Sequence, residues 1–290
     1  MCGIIYAKNL RDNHPVNNLV KVLYENQKER GQLGFGFVGL KKERIGTYRA
    51  TDERDILHYL DEYQYDEVIF HHRLPTSTQN TLKSTHPFII EMGEKRYYFM
   101  HNGIIQNAEG LKEKHAGKGI TYSSGEGDSF NDSESLGWEF CLWLAHQQES
   151  MEAVGAVALV CLEVSKKTNQ AEKLYFYRNA CAPLRIYKDK TLLLLVSEGN
   201  YASIKESRLY FWDYRRRQIR RDKFLDIRSP ESFTFSRYDY YDEEIEAEAV
   251  IASLKQERDY LVSAGEYARA EEIEEEINDL KDQLREKRQD

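Results

Sequence analysis

The chain has 290 residues, of which 41% are hydrophobic and 31% are charged, and its formal net charge is −8. This apolar content can fill one large core or two domains, and the acidic balance argues against a general nucleic-acid-binding protein. We expect a cytoplasmic protein, because nothing resembles a signal peptide and the apolar stretches are too short to span a membrane.

The first motif is Met1-Cys2-Gly3-Ile4, which leads into a short β-branched run. If Met1 is removed, Cys2 carries a thiol nucleophile and a free α-amine on one residue. An α-amine has a reference pKa of about 8, so it can accept the thiol proton and generate the reactive thiolate. Proteins without this chemistry also begin Met-Cys, so the motif is informative only in combination with others.

Apolar periodicity predicts helices over residues 16–27 and 133–146, among a larger number of short strands. The strands are predicted at residues 3–7, 34–40, 67–70, 96–100, 157–162, 173–177 and 191–196. Because these elements do not alternate as βαβ units, they favour a layered α+β domain over a doubly wound parallel sheet.

Two polar motifs follow predicted strands. In His71-His72-Arg73-Leu74-Pro75-Thr76, the arginine can clamp a carboxylate and Thr76 can add a hydroxyl, although a surface arginine in a loop is the simpler alternative. In His101-Asn102-Gly103, a side-chain NH2 beside a glycine N–H suits a developing oxyanion. An Asn-Gly pair after a strand also suits a type I′ hairpin turn.

Asp132 precedes the second predicted helix. Its carboxylate can bind an ammonium group, although a helix N-cap explains an aspartate here equally well. His71 and His101 are predicted to pack around the site, because the α-amine already supplies a base. Together with the motifs above, Asp132 predicts a pocket for a free amino acid that carries a side-chain amide.

In this order and spacing, the motifs resemble the class II glutamine amidotransferase domain of the N-terminal-nucleophile hydrolases. The matching motifs are Met1-Cys2-Gly3-Ile4, Arg30-Gly31, His71-x-Arg73-x-x-Thr76, His101-Asn102-Gly103 and Asp132-Ser133-Glu134, and the likeness covers roughly residues 2–215. The resemblance implies a four-layer αββα sandwich that hydrolyses L-glutamine to glutamate and ammonia.

The resemblance also implies roles for individual residues, with Cys2 forming a γ-glutamyl thioester. It implies that Asn102 and Gly103 form the oxyanion hole. It also implies that Arg73 and Thr76 bind the substrate carboxylate and that Asp132 binds the substrate amine. Supporting positions are implied for Arg30, His71 and His101. One departure is clear: where the family usually has Arg-Gly-x-Asp-Ser-x-Gly, this chain has Arg30-Gly31-Gln32-Leu33-Gly34, without the Asp-Ser pair.

The remaining cysteines, Cys141, Cys161 and Cys181, lie in apolar surroundings and are predicted to be buried free thiols. The sequence has no CxxC pair and no metal-ligand spacing, so we expect a reducing compartment and no metal. It also lacks a glycine-rich phosphate-binding motif, and we therefore expect no cofactor. The basic segment Tyr214–Arg221 is interpreted as the exposed turn of a hairpin rather than a nucleic-acid contact.

Three regions are predicted: a glutaminase domain at 2–228, a linker at 229–243 and a charged helical tail at 244–290. Apolar residues at heptad-like spacing flank Ala264-Gly265-Glu266, where glycine permits a turn, so the tail is predicted to be an antiparallel hairpin of coiled-coil type. It resembles the UVR-type hairpins that mediate protein contacts, and a generic dimerisation or capping hairpin is the alternative.

The leading hypothesis is a stand-alone glutaminase that passes ammonia to a separate partner synthase. Two alternatives stay open: an inactive hydrolase fold that serves as an adaptor through its hairpin, and a hydrolase of another γ-glutamyl amide. Free glutamine is favoured, because Arg73 and Asp132 would each need a charged partner and burying either charge unpaired is costly.

Overall fold

The computed structural model describes residues 2–11, 14–42, 44–74, 81–125, 129–230 and ten positions between 258 and 281. Its strands are β1 (Gly3–Asn9), β2 (Phe35–Lys41), β3 (Arg44–Ala50), β4 (Glu67–His72), β5 (Phe88–Met92), β6 (Lys95–Ile105), β7 (Gly155–Ser165), β8 (Ala171–Arg178), β9 (Arg185–Lys188), β10 (Leu192–Val196), β11 (Ala202–Ser203), β12 (Arg208–Asp213) and β13 (Gln218–Phe224). In the described part up to residue 230, its helices are α1 (Asn17–Gln27), α2 (Glu53–Glu62), α3 (Ala108–Ala116) and α4 (Asp132–Leu144), with short 3₁₀ turns at Lys28–Arg30 and Leu82–Ser84.

Two antiparallel sheets form the body of the fold. The first sheet has the strand order β11-β9-β10-β1-β4-β2-β3, and the second has the order β13-β12-β8-β7-β6-β5. The segregation of helices from antiparallel strands confirms the predicted α+β class. The basic segment joins β12 to β13 through an exposed turn, as the sequence predicted.

Strand β1 shows how the sequence builds the layers. Its side chains alternate between two faces, so Ile4 and Tyr6 enter a core shared by both sheets, whereas Ile5 and Ala7 pack with residues of α1 and α2. A third cluster lies between the second sheet and helices α3 and α4. The layers therefore run helix, sheet, sheet, helix, which is the αββα sandwich expected from the sequence.

The prediction of three buried thiols is confirmed for two of the cysteines. Cys141 and Cys161 are buried free thiols, as predicted, but Cys181 is only half-buried, and its prediction was wrong. The reason is its position in the turn between β8 and β9, where the chain leaves the sheet.

The chain divides into two compact units, Met1–Phe233 and Thr234–Asp290. The ten described positions of the second unit are all helical. The predicted turn at 264–266 and most of the predicted linker lie outside the described residues, so the hairpin stays a prediction. Within the described part, no helix is long and apolar enough to cross a membrane.

Candidate active site

The start of β1 and the ends of β4 and β10 meet at one end of the sandwich. Strand β1 is antiparallel to β4 and to β10, so Gly3 lies opposite His72 and the next strand ends nearby at Val196. From the second sheet, Asn102 of β6 reaches Ser197, directly after β10, through a 2.7 Å hydrogen bond. This pairing brings segments that are far apart in sequence to the residue that precedes β1, which is Cys2.

Cys2 lies at this end of the sandwich and is half-buried. Its Sγ is 3.8 Å from the carbonyl oxygen of Leu74. Burial raises the pKa of the Cys2 thiol, the positive charge of Arg73 opposes that rise, and the negative charge of Asp132 adds to it. The sulfur is therefore partly exposed, and the charges of Arg73 and Asp132 both act on its pKa.

Arg30 fixes the backbone of Cys2. Its side chain is buried, and Nε donates a hydrogen bond of 3.0 Å to the Cys2 carbonyl oxygen. Its Nη1 lies 3.4 Å from Oε2 of Glu198, which is half exposed. Arg30 thus connects the backbone of Cys2 to the segment that follows β10.

The loop without the Asp-Ser pair is held by backbone hydrogen bonds. Leu33 N–H donates to Arg73 O at 2.9 Å, and Arg73 N–H donates to Gly34 O at 2.8 Å. Gly34 has φ of 94°, a conformation that favours glycine. Because these bonds do not involve side chains at positions 32–34, the loop keeps its contact with Arg73 despite the departure from the family pattern.

His72 braces the start of β1, a role that the sequence analysis did not assign. It is buried, its Nδ1–H donates to Gly31 O at 2.7 Å, and its Nε2 accepts from Gln27 Nε2 at 3.0 Å. Burial lowers the pKa of His72 to about 4, so the ring stays neutral near pH 7. A Cβ on Gly3 would lie 1.8 Å from His72 Nε2, which explains the glycine after Cys2.

Gly3→Ala is therefore expected to destabilise the protein by about 1–3 kcal/mol, since the added methyl must displace a buried ring that is held at both nitrogens. Urea unfolding measures the change. Gly110→Ala in α3 is the matched control, because a Cβ there meets no atom within 4 Å and alanine is the better helix former. Equal stability of Gly3→Ala and the wild type would contradict the tight contact with His72.

Arg73 is buried, so the surface-arginine alternative was wrong. Its Nη1 donates to Ser84 Oγ at 2.7 Å, and Ser84 O accepts from Asn131 Nδ2 at 2.9 Å. Burial tends to lower the pKa of Arg73, while Cys2 and Asp132 oppose that change. The guanidinium is thus linked through Ser84 to the start of α4.

Asp132 is the first residue of α4, and the N-cap alternative for it was wrong. The N-cap is Asn131, whose Oδ1 accepts from Ser133 N–H at 2.9 Å. This leaves the Asp132 carboxylate for another contact, and its Oδ2 accepts from Ile105 N–H at 2.7 Å. Asp132 also lines an open cleft of about 240 Å³, together with residues 104–106 and Phe130.

Asn102 and Gly103 lie inside β6, opposite Ala158 and Val157, so the hairpin-turn alternative was wrong. Gly103 has φ of 140°, and a Cβ there would lie 1.7 Å from Ala156 O, so only glycine fits. The sequence placed the end of this strand at residue 100, because Asn-Gly is a turn signal. Pairing with β7 extends it to residue 105 instead.

Strand β5 pairs with β6 only over residues 95–99. From residue 100 onwards, the edge of β6 that faces away from β7 is therefore not paired with β5. Side chains from other segments form hydrogen bonds with the backbone of this edge instead. His71 Nε2–H donates to His101 O at 3.2 Å, and Asp132 accepts from Ile105 N–H. By the alternation of a strand, Gly103 N–H belongs to the same edge, between these two contacts.

His71 and His101 are both buried, and burial lowers the pKa of each ring. His101 Nε2–H donates to Ala156 O at 3.0 Å, and its Nδ1 accepts from the Ser133 hydroxyl at 2.9 Å. Both rings are therefore buried, neutral groups whose hydrogen bonds connect β4, β6, β7 and α4. Among the described residues, no group of His, Cys, Asp and Glu side chains is arranged to hold a metal ion.

One predicted site residue is not described by the structure, and several residues near the site were not predicted. Thr76 lies outside the described residues, so its role stays a prediction. Sequence reasoning missed Gln27, His72, Ser84 and Ser197. Only His72 carried a signal, since it is adjacent to Arg73 in the motif, whereas the others are single polar residues with no distinguishing spacing.

Comparison with known proteins finds similarity in solved structures. No family model matches the chain, and no curated protein matches it. The structure of an allosteric regulatory enzyme of purine biosynthesis matches with a TM-score of 0.61 at 15% identity, over 78% of this chain and 50% of that one. Glutamine phosphoribosylpyrophosphate amidotransferase from B. subtilis, complexed with ADP and GMP, matches with a TM-score of 0.56 at 14% identity and the same coverage of 78% and 50%.

This chain spans about half the length of each of these two proteins. At such low identity the similarity establishes the fold alone. It agrees with the two antiparallel sheets and the layer order described above. The chain therefore has an α+β fold of two antiparallel sheets flanked by helices, similar to the matching part of glutamine phosphoribosylpyrophosphate amidotransferase.

Proposed function

We propose that this chain is a class II glutamine amidotransferase that hydrolyses L-glutamine to glutamate and ammonia through Cys2. The observation that carries the proposal is the placement of a half-buried Cys2 thiol within electrostatic reach of both Arg73 and Asp132. A thiol, a cation and an anion whose charges act on one another match the three groups of glutamine that must be recognised: amide, carboxylate and amine. The N-terminal-nucleophile hydrolase fold supports the same proposal.

The proposed reaction begins with removal of Met1, which frees the α-amine of Cys2. Because burial keeps the thiol protonated, the amine accepts its proton as Sγ attacks the γ-carbonyl carbon. Asn102 and the Gly103 N–H stabilise the resulting oxyanion. The protonated amine then gives its proton to the leaving ammonia, and water hydrolyses the γ-glutamyl thioester to glutamate and the free thiol.

Substrate recognition is proposed to rest on the opposite charges of Arg73 and Asp132. Arg73 binds the α-carboxylate, with Thr76 assisting, and Asp132 binds the α-ammonium group. Both charges are then paired by one zwitterion, which favours free glutamine over a conjugated γ-glutamyl amide whose amine or carboxylate is blocked. We further propose that the charged tail docks the separate protein that accepts the ammonia.

The proposed function is tested by mass spectrometry of the purified chain together with an assay of glutamate release from L-glutamine. The expected result is a mass without Met1 and glutamate release. γ-Glutamyl ethylamide serves as the comparison substrate. A chain that keeps Met1 and releases no glutamate would support the adaptor alternative, and a preference for the ethylamide would support the other γ-glutamyl amide hydrolase.

Arg73→Ala is expected to raise KM for glutamine by at least about tenfold with a smaller change in kcat, because truncating one member of a desolvated charge pair costs about 2 kcal/mol or more. Steady-state kinetics on glutamine measure both constants. Arg215→Ala, in the exposed turn before β13, is the control and should match the wild type. An unchanged KM in Arg73→Ala would count against the carboxylate clamp.

A further inference from the structure

Ser197 is a buried serine directly after β10 that holds the start of β1. Its N–H donates to Ile4 O at 3.0 Å, and its Oγ accepts from Ile4 N–H at 2.9 Å. These bonds continue the pairing of β1 with β10, whose register begins at Ile5 and Val196. One residue therefore fixes the backbone two positions from Cys2.

The same hydroxyl contacts Asn102 in the other sheet. Ser197 Oγ is 2.7 Å from Nδ2 of Asn102, while the amide oxygen Oδ1 is buried and has no hydrogen-bond partner among the described residues. Ser197 Oγ already receives the Ile4 N–H, so the hydroxyl proton itself needs an acceptor. The amide fits the contact in two orientations, because its oxygen and nitrogen have nearly the same shape.

One of these orientations gives a partner to both the serine hydroxyl proton and the amide oxygen. With Oδ1 toward Ser197, the serine O–H donates to the amide oxygen, and the NH2 group takes the buried position that would otherwise hold an unpaired carbonyl. The NH2 group then faces away from Ser197 and keeps its hydrogens for another acceptor. That is the orientation in which Asn102 can donate to an oxyanion.

We propose that Ser197 is a positioning residue for the oxyanion hole, an inference that rests on the proposed function. Its hydroxyl orients the amide of Asn102, and its bonds to Ile4 tie that amide to the strand carrying the nucleophile. Ser197 acts through Asn102, whereas the thiol is hydrogen-bonded to Leu74 O. Removal of Ser197 therefore affects the transition state more than the binding of glutamine.

The first test is the kinetics of Ser197→Ala on L-glutamine. We expect kcat to fall by about tenfold with KM within about twofold, since a misoriented amide presents a carbonyl to the oxyanion. Ser197→Thr keeps the hydroxyl and is expected to stay within about threefold of the wild-type kcat. Ser203→Ala, at an exposed serine of β11, is the matched control.

A double-mutant cycle separates positioning from general support of the fold. Adding Ser197→Ala to Asn102→Ala is expected to change kcat by less than about twofold, because the amide through which Ser197 acts is already gone. Independent, multiplicative losses would overturn the inference. So would a wild-type kcat in Ser197→Ala.

Two further outcomes are distinguishable. If Ser197→Ala does not fold, Ser197→Thr and Ser197→Val replace it, because they match in shape and differ in the hydroxyl; equal kcat in those two would overturn the inference. If the wild type releases no glutamate, the proposed function itself fails, and the positioning role fails with it. An active wild type with an equally active Ser197→Ala removes the positioning role alone.

Discussion

Cys2→Ala is expected to abolish glutamate release from L-glutamine, with a loss in kcat on the order of 10⁴-fold or more. The reason is that no other described cysteine replaces it: Cys141 and Cys161 are buried, and Cys181 lies after β8 in a turn. Without the thiol no thioester forms, and the binding groups that remain provide only a small residual rate. A coupled glutamate dehydrogenase assay measures the release.

The control for this substitution is Cys181→Ala, which removes a half-buried thiol outside the proposed site. It should keep the wild-type rate. Circular dichroism and thermal unfolding of both variants show whether either change affects folding. Glutamate release that survives in Cys2→Ala would remove the proposed nucleophile, and with it the mechanism.

Asn102→Ala is expected to lower kcat by about 10²–10³-fold while KM for glutamine changes little. An oxyanion exists only in the transition state and in the tetrahedral intermediate, so its donors contribute little to the binding of ground-state glutamine. The buried amide also bonds Ser197, and thermal unfolding should therefore be measured beside the kinetics.

Asn200→Ala serves as the matched control for Asn102→Ala, because Asn200 is exposed in the turn after β10. It should leave kcat and KM unchanged. A raised KM with normal kcat in Asn102→Ala would mean that the amide binds substrate in the ground state. An unchanged rate would contradict the assignment of the oxyanion hole to this residue.

Two helices, α2 and α3, were absent from the sequence prediction. Helix α2 buries only Ile56 and Leu60, one turn apart, so its apolar stripe is too short to stand out, although Asp52 caps it. Helix α3 contains Gly110 and ends in polar residues. In both cases tertiary packing, of α2 on β2 and β3 and of α3 on α4, stabilises the helix rather than local preference.

The order of the motifs and the alternation of apolar residues were visible in the sequence. Cys2 next to Gly3, the two strand-following motifs and the β-rich runs were sufficient to predict a layered α+β domain and to propose the site residues, whereas the four-layer αββα order was implied by the family resemblance of the motifs. The same patterns could not decide whether Asn102 lies in a turn or a strand.

Only the tertiary structure decided the position of Asn102, the N-cap of α4 and the contact of Ser197. Pairing with β7 keeps Asn102 in β6, a hydrogen bond from Ser133 makes Asn131 the N-cap of α4, and the junction of β1 with β10 brings Ser197 to Asn102. Residues nearly a hundred positions apart meet because antiparallel pairing fixes which strand ends coincide. The sequence determined which chemical groups this protein carries, and long-range strand pairing determined which of them face one another.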